Sequence, residues 1–308
     1  MKVAIVGAAG RVGSCAASAL QHGGVVSEIM LNDIAETLVE GETLDLLHGS
    51  SLVSDQRIYS GDMGAVAQSD IVVITAGIRR KPDESRLDLI NRNVSLFLTI
   101  IDNLKKSGLH EDTILIVVSN PVDILTHLAI RKTNLPPEHV IGLGTFLDTS
   151  RFCSLIAETI NTAPSQVKAL ILGEHGDSMV PIWSSASLNG LDLESHPDLP
   201  AATKTKLFDR VLQGGAEIIR LKGGAGWAVG AATASLVHSI ALDQRRMLPV
   251  SSLQTGAFGL TDVCISVPTI VGRSGIIKHL ELELWPRELQ GLKKSADVLK
   301  SALGKITT

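Results

Sequence analysis

Asp148 and Arg151, three residues apart in Leu147-Asp148-Thr149-Ser150-Arg151-Phe152, and His175 in Gly173-Glu174-His175-Gly176-Asp177 supply a carboxylate, a guanidinium and an imidazole. Those three groups could oxidise a hydroxy acid. A hydroxyl that gives up a hydride must also lose its proton, and a neutral imidazole is the side chain best matched to take it near pH 7. His175 is therefore the expected general base. An imidazole acts this way only in one tautomer and orientation, which a carboxylate on its other nitrogen can fix, and Asp148 is the candidate. Arg151 can grip a substrate carboxylate through two parallel N–H···O bonds. A helix over residues 146–161 would put Asp148 and Arg151 on nearly one face, because i and i+3 are neighbours there. The same residues also read as a satisfied buried histidine beside an ordinary helix ion pair. No metal ligand set is expected.

The start of the chain supplies a place for a cofactor. Lys2–Val6 is a short, mostly apolar run, followed by Gly7-Ala8-Ala9-Gly10-Arg11-Val12-Gly13 and a helix-like stretch from Ser14. In this strand, turn and helix, Gly7 permits the tight turn and Gly10 lets the backbone approach a pyrophosphate. Gly13 lets the helix pack closely, with phosphates at its N-terminus. A second strand, Glu28–Asn32, ends at Asp33, where an acid can accept bonds from adenosine ribose hydroxyls and repel a 2′-phosphate. NAD is expected over NADP, with Asp33 as a helix N-cap the alternative.

The elements around these residues fall into two groups. Through residue 145, predicted strands at 2–6, 28–32, 57–60, 70–75, 113–118 and 139–143 alternate with helical stretches, the pattern of a doubly wound parallel sheet. Asp70–Thr75 is apolar without alternation, as expected of a strand covered on both faces, and leads to Ala76-Gly77 at the carboxyl edge where ligands bind. The polar segment Ile78–Arg86 then reads as a loop whose basic residues handle an anionic substrate. Asn120, after the fifth strand, could bond the nicotinamide ribose or a substrate hydroxyl, or simply cap the next helix. Beyond residue 146 the pattern changes. Helices are predicted at 146–161, 202–221, 226–243 and 286–303, and strands at 167–172, 249–254, 262–267 and 269–272. This is an α+β unit with its own core, closely packed on the first. The expected division is a cofactor domain over 1–145 and a substrate-binding, catalytic domain over 146–308.

Composition narrows the function classes. A net charge of -4 and only 3 % aromatic residues give neither a basic stripe nor stacking platforms, so no nucleic-acid partner is expected. Cys15, Cys153 and Cys264 are odd in number and far apart, as in a reduced cytoplasmic protein. No apolar span is long enough for a membrane helix, so no membrane partner is expected.

Several strings together resemble the lactate/malate dehydrogenase superfamily from end to end: G-A-A-G-R-V-G, T-A-G-I-R-R-K-P, S-R-L-D-L, S-N-P-V-D, L-D-T-S-R-F, G-E-H-G-D-S and Ser266-Val267-Pro268. The resemblance implies a Rossmann-type doubly wound parallel sheet with a second α+β catalytic domain, and a homo-oligomer, tetramer or dimer. It implies that His175 accepts the proton, Asp148 partners it, Arg151 binds the carboxylate, Arg86 polarises the carbonyl and Asn120 lies beside the nicotinamide. The cofactor set that accompanies it is Gly7, Gly10, Arg11, Val12, Gly13, Asp33, Thr75, Ala76, Gly77, Asn93, Val118 and Asn120.

Within the family, the position six residues before the loop arginine separates the substrates, and here it is Arg80, with the adjacent Arg79 taking that role if the loop register shifts by one. An arginine facing the methyl end of pyruvate would be left unpaired, whereas facing a second carboxylate it forms a charge-assisted pair. Ala225, where the lactate enzymes tend to carry threonine, resembles the malate pattern as well. Asp83-Glu84-Ser85 departs from the usual loop, and Trp183 looks more like lactate dehydrogenases. The expectation is an NAD-dependent malate dehydrogenase of the tricarboxylic acid cycle, acting on a small dicarboxylate, with L-lactate or another 2-hydroxy acid as the alternative substrate.

Overall fold

The computed structural model describes residues 1–78 and 86–306. The first half alternates strands and helices: β1 (Lys2–Val6), α1 (Arg11–Gly23), β2 (Glu28–Asn32), α2 (Glu36–Val53), β3 (Arg57–Ser60), α3 (Met63–Ala67), β4 (Ile71–Ile74), α4 (Arg86–Lys106), β5 (Ile114–Val117), α5 (Val122–Lys132) and β6 (Val140–Gly142). The second half runs α6 (Phe146–Thr159), β7 (Val167–Leu172), β8 (Val180–Leu188), β9 (Leu191–Asp192), α7 (Ala201–Lys222), α8 (Trp227–Ala241), β10 (Arg246–Thr255), β11 (Thr261–Gly272), β12 (Gly275–His279) and α9 (Pro286–Leu303). The architecture is mixed α/β, with a large parallel Rossmann-type sheet and a second α/β part.

Period-two geometry explains the continuous apolar runs of the central strands. Val72 and Ile74 of β4 join Ala4, Val6, Leu115 and Val117 in one core. Ile71 and Val73 join Val3, Ile5, Ile114 and Ile116 in another, on the opposite face. Successive side chains point to opposite faces, so a strand covered on both must be apolar throughout. Strand order in the main sheet is β12-β11-β10-β6-β5-β4-β1-β2-β3, with β1 to β6 parallel.

Here the second half departs from expectation. β10 pairs antiparallel with β6, and β11 and β12 follow, so these strands extend the first sheet. Only part of the second half has a core drawn from itself alone, around Phe152, Ile156, Trp183 and Val211. The two strands predicted at 262–267 and 269–272 are one strand running through Pro268, which lies directly opposite Pro249. β7, β8 and β9 form a separate antiparallel sheet. Among the described residues, no helix is long and apolar enough to cross a membrane.

Candidate active site

α6 opens with Asp148 in its first turn, and the i, i+3 spacing carries Arg151 onto the same face. Arg151 Nη1 donates to Asp148 Oδ1 at 2.8 Å and to the Val211 carbonyl at 3.1 Å. The other oxygen, Asp148 Oδ2, lies 2.5 Å from His175 Nδ1. One carboxylate, 1 % exposed, thus joins the guanidinium and the imidazole into a single chain of contacts. The structure brings together the three groups with which the sequence reading began.

Two elements must be fixed relative to one another for this to hold. Thr149 Oγ1 accepts from Ile171 N at 2.9 Å, and Thr145 Oγ1 donates to the Ile171 carbonyl, tying the start of α6 to β7. After β7 the chain turns at Gly173, whose φ of +96° is a left-handed conformation that L side chains rarely adopt. Gly173 exchanges backbone bonds with Ser266 of β11, at 3.0 and 3.1 Å. Glu174 N donates to Ser295 Oγ of α9 at 2.7 Å, and Ser178 Oγ donates to Glu174 Oε2. His175 N donates to Asp123 Oδ2 of α5 at 2.8 Å. The loop carrying His175 is therefore held by β11, α9 and α5.

The charges follow from these contacts. Burial works against a charged Asp148, but His175 and Arg151 outweigh it and hold the carboxyl below the usual carboxylate range. Burial likewise opposes imidazolium at His175, yet Asp148, with a smaller contribution from Asp123, raises its pKa. Asp123 goes the other way: burial pushes it up to about 6.

At the carboxyl end of β1, Gly7 has φ +88°, and a Cβ there would stand 2.6 Å from Ala76 N, just past β4. A Cβ on Gly13 would stand 2.3 Å from the Gly7 carbonyl, so bare backbone is needed for strand, turn and helix to meet. Asp33 accepts from Ala9 N through Oδ2 and from Ala35 N through Oδ1, both at 3.0 Å. It sits beneath the turn as a local bracket, and Ala35, not Asp33, precedes the first residue of α2. Thr75 Oγ1 donates to the carbonyls of Val6 and Gly7, and Ser119 Oγ to that of Ala76.

Other expected cofactor residues are engaged within the chain. Arg11 Nη1 donates to the carbonyls of Lys222 and Gly224 at 2.6 and 2.9 Å, reaching the turn between α7 and α8. Asn93 exchanges side-chain bonds with both N and O of Ile78 and donates to the Leu89 carbonyl. Asn120 Oδ1 accepts from Val122 N at 3.3 Å in the turn entering α5. Gly10 is the residue before α1, Val12 lies in the first turn of α1, and Gly77 and Val118 follow β4 and β5. Arg80 and the side chain of Arg86 lie outside the described residues.

Three supporting residues escaped the sequence reading. Asp123 stood inside the Ser119–Asp123 string without being assigned a role. Ser295 had no motif to mark it. Gly214 sits mid-helix in α7, where a Cβ would lie 2.8 Å from Arg151 Cδ and Nε, so its bareness makes room for the guanidinium stem. The Gly214-Gly215 pair inside a long helix was the available signal. Cys153 is packed in the second-half core with Sγ toward the Ala169 carbonyl, and burial raises its pKa. Among the described residues, no group of three or more His, Cys, Asp or Glu is placed to hold a metal.

The sequence pattern described as lactate/malate dehydrogenase, NAD binding domain, matches residues 1–142, and the pattern for the alpha/beta C-terminal domain of the same family matches 145–308. An L-lactate dehydrogenase of Acetivibrio thermocellus is 42 % identical over 98 % of this chain and 96 % of its own. One from Synechococcus sp. is 39 % identical over 99 % of both chains. The crystal structure of the minor L-lactate dehydrogenase from Enterococcus mundtii, in a ligands-bound form, superposes with a TM-score of 0.95 at 35 % identity, covering 99 % of this chain and 98 % of that one.

These findings correct the expectation of a malate dehydrogenase, together with its dicarboxylate substrate and its place in the tricarboxylic acid cycle. The relatives carry the name L-lactate dehydrogenase. The malate expectation leaned on Arg80, which lies outside the described residues, and on Ala225, which is partly buried against the core of the first half. Trp183, the position that resembled lactate enzymes, is buried and packs edge-on against Phe152, with ring centroids 5.0 Å apart at 82°.

Proposed function

The chain belongs to the lactate/malate dehydrogenase family and is an NAD-dependent enzyme with a small-molecule substrate, and from that premise we propose that it is an L-lactate dehydrogenase interconverting lactate and pyruvate. The contact chain His175, Asp148, Arg151 on one buried carboxylate supports the 2-hydroxy-acid chemistry, and the observation that carries lactate as the substrate is the likeness over nearly the whole chain to L-lactate dehydrogenases. With Nδ1–H given to Asp148, the lone pair of His175 Nε2 is left to take the hydroxyl proton. Asp148 then faces an imidazolium whose charge it balances.

The contacts that Arg151 makes within the described residues both leave from Nη1. Nη2 is left for the substrate carboxylate, while Nε lies against Gly214 of α7. Bound NAD would accept the hydride, and the bare backbone at Gly7 and Gly13, with Asp33 beneath the turn, suits its diphosphate and ribose. Exposed Leu38 and Leu52 on α2 favour a homo-oligomer, which light scattering on the purified protein tests.

The proposal is tested by steady-state oxidation of NADH with pyruvate, against oxaloacetate at equal concentration. Pyruvate reduction that depends on His175 is expected. Failure to turn over pyruvate would overturn it.

A further inference from the structure

His175 touches two buried carboxylates, and the reaction described above uses only Asp148. The second, Asp123, lies in the first turn of α5 and is 3 % exposed. Its Oδ2 accepts the His175 main-chain N–H at 2.8 Å, across 52 residues of sequence. Among the described residues, its Oδ1 has no hydrogen-bond partner, and the same holds for Ser251 Oγ of β10, the neutral group that faces it. The other titratable groups around it are Glu174, next to His175 in the loop, and Cys264 of β11, a fully buried thiol. His175 is the only cation among these neighbours, and only when protonated.

A carboxylate buried beside a group that alternates between neutral and cationic is costly to keep unless it serves that alternation. An uncharged residue could accept the N–H equally well. We propose that Asp123 is a positioning residue for His175, holding the loop through its main-chain N–H and supplying a second negative charge that favours the imidazolium formed when the substrate hydroxyl is deprotonated. The charge acts through His175 and needs no contact with substrate.

The inference rests on His175 being the proton carrier, so its test reads that residue directly. Asp123→Asn preserves shape, and its amide oxygen can still accept the His175 N–H, so a purely structural role would leave the imidazole unaffected. The His175 titration is followed by NMR of ring-labelled histidine, assigned by difference from His175→Asn. In Asp123→Asn the His175 pKa is expected to fall by roughly half a unit to one unit. Pyruvate reduction, which needs the protonated ring, should then drop about three- to tenfold on the alkaline limb, with the KM for NADH unchanged. A titration that superimposes on wild type overturns the proposal.

Should Asp123→Asn fail to fold, Asp123→Ser decides. Its hydroxyl can accept the His175 N–H but carries no charge, so the His175 pKa should again fall by roughly half a unit to one unit, and no change overturns the proposal. Because NMR reads the ring without turnover, a protein inactive on pyruvate but with a shifted titration would sink the lactate assignment and leave this inference standing.

Discussion

Asp148 and Asp123 are almost equally buried, at 1 % and 3 % exposure, and both bond to His175, yet their acidities move in opposite directions. Asp148 meets the imidazole ring and the Arg151 guanidinium, so attraction outweighs desolvation and its carboxyl stays ionised. Asp123 meets a main-chain N–H and, among the described residues, no hydrogen-bonded cation, so desolvation wins and its pKa rises to about 6. Partners, not depth, set the charge state of a buried acid. The same histidine lies beside one carboxylate whose partners favour the ionised form and another that burial pushes toward the neutral form.

The comparison can be broken at its centre first. His175→Asn removes the group both acids serve, and turnover should fall by roughly 10²–10⁴, with NAD affinity nearly intact, as measured by kcat alongside NADH fluorescence titration. Near-normal kcat would show that neither carboxylate has a catalytic partner. Asp148→Asn should be next in size, losing about 10–100-fold in kcat because an amide cannot balance the imidazolium.

Stability should respond in the opposite sense at Asp123. Its folded pKa lies above the ordinary value of 3.8, so its contribution is fully present below that value and is lost as pH rises through about 6. Asp123→Asn escapes that loss. The variant should gain stability over wild type as pH rises from about 4 to above 6, by on the order of 3 kcal/mol at the plateau, read by urea unfolding across pH. A gap independent of pH would mean that Asp123 titrates normally.

A smaller effect sharpens the Asp148 side. Gly214→Ala places a Cβ against the Arg151 stem, so the KM for pyruvate should rise several-fold with less change in kcat. An unchanged KM would show that Arg151 can shift without cost.

Much of this was legible in the sequence, for physical reasons that differ by region. The parallel strands announced themselves because burial on both faces demands unbroken apolar runs such as Ile71–Ile74. β8 carries polar residues at its exposed positions and β12 leaves Ile277 and Lys278 exposed, so neither shows an unbroken apolar run and neither was found. That β10 to β12 continue the first sheet is a matter of pairing, which periodicity does not encode. Asp148, Arg151 and His175 were visible because their chemistry is local to two strings. Their supports were not, since Asp123 reaches His175 across 52 residues and Ser295 reaches Glu174 across 121. Side-chain to main-chain bonds of that span leave no repeat in the chain. The substrate was misread because a single residue, Arg80, carried more of the argument than the buried Trp183.

In the proposed reaction Asp148 holds His175 as the proton carrier for lactate and pyruvate. It is tested most directly by the pH dependence of pyruvate reduction by NADH, from about pH 5 to about pH 9, in wild type and Asp148→Asn. Wild type should reduce pyruvate with a rate that falls through a raised His175 pKa, and in the variant that fall should move to lower pH as kcat drops. Superimposable pH profiles, or no pyruvate turnover in wild type, would contradict it.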